Sequence, residues 1–405
     1  MRRILLAEQD GWASGLGWGR ARGCALPAAA VLGCLQPAID PVFLTLLSRA
    51  TPLPAADHGW VVGMTQSASA LAAMMVWWLG PRMPMRAVLA LALGAMVAGL
   101  LTPLAQGLAG LLALRGIYGL GMGAIYARAM GGFAAARPTG AYAIVLLVQL
   151  MLATLVSLAL PDMAARIGAG RALGILALVP LAAAMALACA REGGAARLAP
   201  LGQSATPRAG WALALANFWF ICATMMVWSL CGALAVQAGH SEGLIGRAVA
   251  IGSLAGAATA IAVMRERLRV PLPVTACLVG AALLAPLVLT RPGAGTGFVL
   301  AMVLLNIGST AIIIRCSGLA SALGLDPRFR VFVAATHNLG MSAGPALGSG
   351  LVWVMPNGGL LLGAGLAVLA GVGAAVIGWR GLRHCAHWPM SRPVFARSGH
   401  QKGLD

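Results

Sequence analysis

Twelve apolar stretches, each close to the length of a membrane-spanning helix, leave this chain few ways to fold. They run over about 24–48, 59–80, 87–105, 108–131, 140–161, 171–190, 211–237, 244–264, 271–290, 296–321, 331–355 and 358–379. A helix needs ~20 mostly apolar residues to cross a bilayer. Only 9% of the 405 residues are charged and 60% are hydrophobic, whereas a soluble domain is about 25% charged. Water cannot solvate such a surface. The fold class expected is therefore all-α and polytopic, with twelve transmembrane helices.

The arginines test that map. With residue 1 placed in the cytoplasm, the inner gaps and tails hold 20 Lys and Arg, the outer gaps hold 5, and Arg115, Arg128 and Arg315 complete the 28 inside helices. This bias fits the positive-inside rule with both termini cytoplasmic. The expected location is a bacterial inner membrane, with the lipid bilayer as a partner. The net charge of +18 is spread over short gaps without interleaved aromatics, which speaks against nucleic-acid binding.

The longest gap, 191–210, falls midway and reads as a cytoplasmic linker. The organisation expected is a tail over 1–23, a six-helix bundle over 24–190, the linker, a second bundle over 211–380 and a tail over 381–405. The halves resemble each other. Residues 124–131 (AIYARAMG) align with 311–318 (AIIIRCSG), 187 positions on, and the basic gap at Arg82 and Arg86 matches the one at Arg265 to Arg269. Duplication of this kind is common in transporter folds.

Other chemistries find little support. The eight cysteines show no CxxC and no zinc or disulfide spacing, so no metal is expected. Walker A and HExxH patterns are absent from the sequence, so neither an ATP-driven pump nor a zinc hydrolase of that class is indicated; no enzyme is expected, and no cofactor. Glu8 and Asp10 interrupt the start before the apolar core of a cleavable leader can form. A monomer is expected.

One residue in the first span breaks the apolar rule. Asp40 lies in LQPAIDPVFLTLL, beside Pro41. An acid near the bilayer centre costs ~2.5–3.5 kcal/mol on insertion scales, so it needs a cation, a cavity or a proton. Asp40 lies roughly 12 Å below the outer end of its span and Arg115 roughly 10 Å below the outer end of the fourth, so the two are candidates to pair. Gln36 stands one turn before Asp40 on the same face. Pro41 removes a backbone donor and bends the helix beside the acid.

Twelve spans in two groups of six, a central linker and both ends inside resemble the major facilitator superfamily. The resemblance covers about 24–380. Arg115-Gly116-Ile117-Tyr118-Gly119-Leu120-Gly121-Met122-Gly123 is similar to its R-x-x-x-G-x-G-x-G pattern in helix 4, and Gly344-Pro345-Ala346-Leu347-Gly348 is similar to its glycine–proline run in helix 11. The loop after the second span departs from it: GPRMPMR (80–86) lacks the family's acid, and RERLR (265–269) keeps an acid without the glycine. The fifth span lacks the G-x-x-x-G-P run of proton–drug antiporters. The resemblance implies that helices 1 and 4 line a central cavity and that Asp40 and Arg115 take part in proton coupling.

Further polar residues are candidates for a substrate pocket: Gln36, Gln149, Asn217, Trp219, Asn306, Arg315 and His337. Each amide has an equally good reading as a helix–helix hydrogen bond. The function expected is a secondary active transporter working by alternating access, coupled to protons, with a small organic solute as substrate. Arg315 and His337 favour an organic acid and the aromatic seventh span favours an amphipathic one. The alternatives are an efflux pump for lipophilic compounds and a non-transporting sensor or assembly protein of the same fold.

Overall fold

A computed structural model of the chain describes residues 25–79, 83–136, 140–190, 208–264, 270–323, 327–356 and 358–385. These residues form fourteen α-helices and no strand. The first half contains α1 (Ala25–Gly33), α2 (Leu35–Ala50), α3 (His58–Leu79), α4 (Met85–Leu101), α5 (Gly107–Ala136), α6 (Gly140–Ile167), α7 (Ala169–Leu176) and α8 (Val179–Cys189). The second contains α9 (Arg208–Gln237), α10 (Glu242–Met264), α11 (Leu272–Leu289), α12 (Gly295–Leu323), α13 (Pro327–Val354) and α14 (Gly359–Cys385). The first tail, most of the linker expected at 191–210 and residues 386–405 lie outside the described residues, as do Arg82 and 265–269, while 381–385, expected in the second tail, continue α14.

The fourteen helices make twelve traverses, because α1 with α2 and α7 with α8 each form one span. Both breaks follow from proline. Pro37 has no N–H, and restarting the helix at Leu35 puts it in a first turn, where that donor has no intrahelical partner anyway. Pro180 sits in the same way at the start of α8. The continuous helices expected at 24–48 and 171–190 are thus each interrupted once. Pro161 does the opposite: α6 runs through it to Ile167, past the expected end at 161. A spanning helix tolerates an internal proline when neighbours meet the freed groups. Among the described residues, eleven spans are long and apolar enough to cross a membrane. The twelfth, α13, falls short because Thr336, His337, Asn338, Ser342 and Ser349 interrupt it. The chain is a multi-pass membrane protein.

The repeat seen in sequence persists in space. α6 and α13 begin and end 187 residues apart, and the ends of α5 and α12 keep the same interval. Within the halves, α3 and α4 pack on α5, and α10 and α11 pack on α12. Across the halves, α2 meets α9, α3 meets α13, and α6 meets α10. These contacts lie toward the end of the bundle away from residues 25 and 385, termed here the distal end. Arg49 pairs with Glu242 there at 2.8 Å, Trp353 donates to Asp57 at 3.3 Å, and the Gly59 amide donates to Ser349 at 2.9 Å. Deeper in, Ser67 meets Ser342. α1, nearer the termini, packs instead on α5, α6 and α8 of its own half.

Candidate functional site

The site builds outward from α2. Gln36 and Asp40 are four residues apart on one face, and Gln36 Nε2 donates to Asp40 Oδ1 at 2.9 Å. Asp40 is 2% exposed, and its Oδ2 is buried with no hydrogen-bond partner. A buried carboxylate oxygen left unpaired carries a desolvation penalty that a proton or a cation can relieve.

Arg115, on α5, is equally buried at 2% exposure. Its Nε donates to Thr65 Oγ1 of α3 at 3.1 Å. Its guanidinium lies over two rings, Phe43 at 4.7 Å and Tyr118 at 4.3 Å. Planar, weakly hydrated arginine suits such a place, because the negative ring faces replace part of its lost hydration. Arg115 and Asp40 therefore meet the same stretch of α2 without forming an ion pair: among the described residues the ion pair within 4.0 Å is Arg49–Glu242. Depth placed both charges in one layer, but the partners that hold Arg115 (Thr65, Phe43, Tyr118) carried no sequence signal beyond their types.

The backbone of the first span needs help from its neighbours. Gln149, expected near substrate, sends Nε2 from α6 to the carbonyl of Cys34 at 2.5 Å, at the break between α1 and α2. Trp228 of α9 donates Nε1 to the carbonyl of Pro37 at 2.7 Å. Pro41 cannot bond that carbonyl from within the helix. The four-residue spacing of the two prolines is a signal that could have singled out Pro37.

The remaining candidates in the second half have these surroundings. Asn217 is fully buried; its Oδ1 accepts from Ser317 at 3.1 Å. Asn306 Nδ2 donates to Met302 one turn back on α12 at 2.9 Å. Trp219 is half-buried and stacks edge-on with Phe218 at 5.0 Å. His337 is half-buried on α13. Arg315 donates to Thr275 and, at 2.7 Å, to the carbonyl of Val270. Arg128 donates to the carbonyl of Met83 at 2.6 Å. Both members of the Arg128–Met83 contact recur 187 positions later as Arg315–Val270, so the two arginines tie equivalent helix ends to equivalent turns.

The glycine patterns are explained by close approach of helices. A methyl group on Gly119 or Gly123 would overlap the carbonyl of Thr65 or Ser69 on α3, and one on Gly121 would overlap Leu91 on α4. The counterpart of Gly119 in the second half is Asn306, and the room it needs comes from Gly252 on α10, the counterpart of Thr65. The glycine has moved to the partner helix. Gly344 and Gly348 let α13 lie against Cys222 and Met226 of α9, while the Pro345 carbonyl faces Gly59 across the halves.

No protein-family profile matches the chain, and no curated protein matches it. Solved structures do. A bacterial homolog of the human lysosomal transporter Spinster, inward-facing and occupied, shares 14% identity over 89% of this chain and 95% of its own, with a TM-score of 0.61. The same homolog, inward-facing and unoccupied, gives 14% identity, 91% and 98% coverage and a TM-score of 0.59. The POT family transporter PepTSo gives 11% identity, 91% and 98% coverage and a TM-score of 0.63. At such identities the likeness shows the fold. It is the two-bundle, twelve-helix fold of the major facilitator superfamily.

Proposed function

We propose that this chain is a secondary active transporter that moves a small organic solute by alternating access, coupled to protons through Asp40. One observation carries the reading: on the helix packed between the two halves, a buried carboxylate has one oxygen with no partner. The similar solved structures support it, since all three are described as transporters. With both termini in the cytoplasm, as the arginine bias favours, the joined distal end is the outer one. The arrangement is then inward-facing, as in the Spinster homolog.

In this mechanism Asp40 takes up a proton while one side of the membrane is accessible and releases it from the other. Gln36 orients the carboxylate. Arg115, held by its two rings and Thr65, supplies a fixed positive field beside it. The substrate class favoured is a small aromatic or amphipathic organic acid, met by Arg315, His337 and Trp219, with Gln149, Asn217 and Asn306 as polar neighbours. The test is uptake of labelled aromatic acids into proteoliposomes under an imposed proton gradient. Accumulation that collapses with an uncoupler supports the reading, and equilibration indifferent to the gradient excludes proton coupling.

A further inference from the structure

Pro41 has no N–H, so α2 cannot bond the Pro37 carbonyl through its own ladder. Inside a bilayer an unpaired backbone carbonyl is heavily penalised. The donor that meets it comes from the opposite half: Trp228 Nε1 on α9, at 2.7 Å. One turn on, Gly232 brings the α9 backbone against α2, where a Cβ would stand 2.6 Å from the Pro41 carbonyl. The indole reaches its acceptor only while α2 and α9 lie together. The same turn of α2 holds the Gln36–Asp40 bond, so the grip of the second half falls on the residues that carry the carboxylate.

We propose that Trp228 is a positioning residue that latches the distal end shut, completing the hydrogen bonding of α2 only when the two halves meet there. Opening that end leaves the Pro37 carbonyl to water, which must then enter. The latch makes the proline kink bistable: paired and dry when closed, hydrated when open. It rests on the reading of two halves that move apart distally, and it does not depend on whether Asp40 carries a proton.

The test is hydrogen–deuterium exchange, read by mass spectrometry on the full chain in lipid nanodiscs. Four proteins are compared: wild type, Trp228→Phe, Pro41→Ala and the double variant. Phenylalanine keeps an aromatic ring but cannot donate. Alanine at 41 gives α2 its own N–H for the Pro37 carbonyl. Trp228→Phe should speed exchange over 44–60 and 228–245 by roughly three- to ten-fold, the worth of one net hydrogen bond, with 370–385 unchanged. The double variant should melt like the wild type yet still exchange fast distally. Wild-type exchange in Trp228→Phe overturns the proposal. So does a double variant whose distal exchange returns to wild type, because the indole would then only satisfy a stray carbonyl. Should Trp228→Phe fold poorly, the double variant decides alone. A chain that fails to use a proton gradient but opens distally when Trp228 is changed would refute the coupling reading and leave the latch standing.

Discussion

Arg115 stacks on Phe43, one turn beyond Asp40, and makes no ion pair with Asp40 itself. The two buried charges are held by separate means: one by an amide, the other by a hydroxyl and two aromatic faces. Breaking a buried pair by removing one partner costs ~3–5 kcal/mol. That full penalty should not arise here, because the two charges act on each other through space without a direct contact, and each keeps its own hydrogen-bond partner.

Asp40→Asn should therefore leave the protein folded, with stability within about 1 kcal/mol of wild type, while abolishing proton-driven accumulation. Asparagine keeps the size and the bond to Gln36 but cannot cycle a proton. Downhill exchange of substrate should persist. Uphill transport by a well-folded Asp40→Asn protein would exclude this residue as the coupling group.

Gly119 and Gly110 lie on the same helix and should respond oppositely to alanine. A methyl at 119 meets the Thr65 carbonyl, whereas nothing lies within 4 Å of one at 110. Overpacking costs ~1–3 kcal/mol, and the obstacle is backbone, which no side-chain rotamer change removes. Gly119→Ala should lower the melting temperature by several degrees, and Gly110→Ala should leave it unchanged or raise it. Equal effects would mean that α3 and α5 are not packed this closely.

Much of the fold could be read from sequence because the bilayer imposes it. Hydropathy located all twelve spans to within a few residues at most ends; it missed the breaks near Pro37 and Pro180 and the run through Pro161, where neighbours decide whether a helix breaks, and it ended α5 and α14 short of Ala136 and Cys385. The Gln36–Asp40 bond was legible from i, i+4 spacing. Side-chain orientation across helices was not. Gln149 bonds the Cys34 carbonyl, and Arg315 bonds the Val270 carbonyl and Thr275, contacts that depend on where distant helices lie.

Arg128 and Arg315, as repeated ties, should be comparable in their effect on stability. Each alanine variant loses a charged hydrogen bond, worth ~1.5–3 kcal/mol when buried and less at these partly exposed sites. Thr275→Val should reproduce part of the Arg315→Ala loss. A weaker Kd for organic anions in Arg315→Ala, absent from Arg128→Ala, would assign Arg315 a substrate contact in addition to its structural one.

Topology is open to direct measurement. A reporter active only outside the cytoplasm should be silent when fused after residue 385 and active when inserted at 238–241, between α9 and α10. The reason is the 20-to-5 distribution of basic residues, a bias that orients short loops during insertion. The reverse pattern would place the joined distal end in the cytoplasm and invert the inward-facing assignment.

Gly232, one turn beyond Trp228 on α9, gives a second test of the movement of the halves. Its hydrogen faces the Pro41 carbonyl and Thr45 Cγ2, at 2.6 and 3.0 Å from where a Cβ would stand. Gly232→Val puts a branched side chain into that contact. The second half can then dock only by shifting α9 away from α2, and overpacking at this point costs ~1–3 kcal/mol. The penalty applies to the distally closed state alone, since separated helices leave room for the valine. The population should therefore move toward distal opening by roughly five- to a hundred-fold. Spin labels at Leu104 and Val354, both exposed at the distal end of different halves, would report longer distances in Gly232→Val than in the parent. An unchanged distance distribution, with a folded protein, would mean that α2 and α9 do not part there during the cycle.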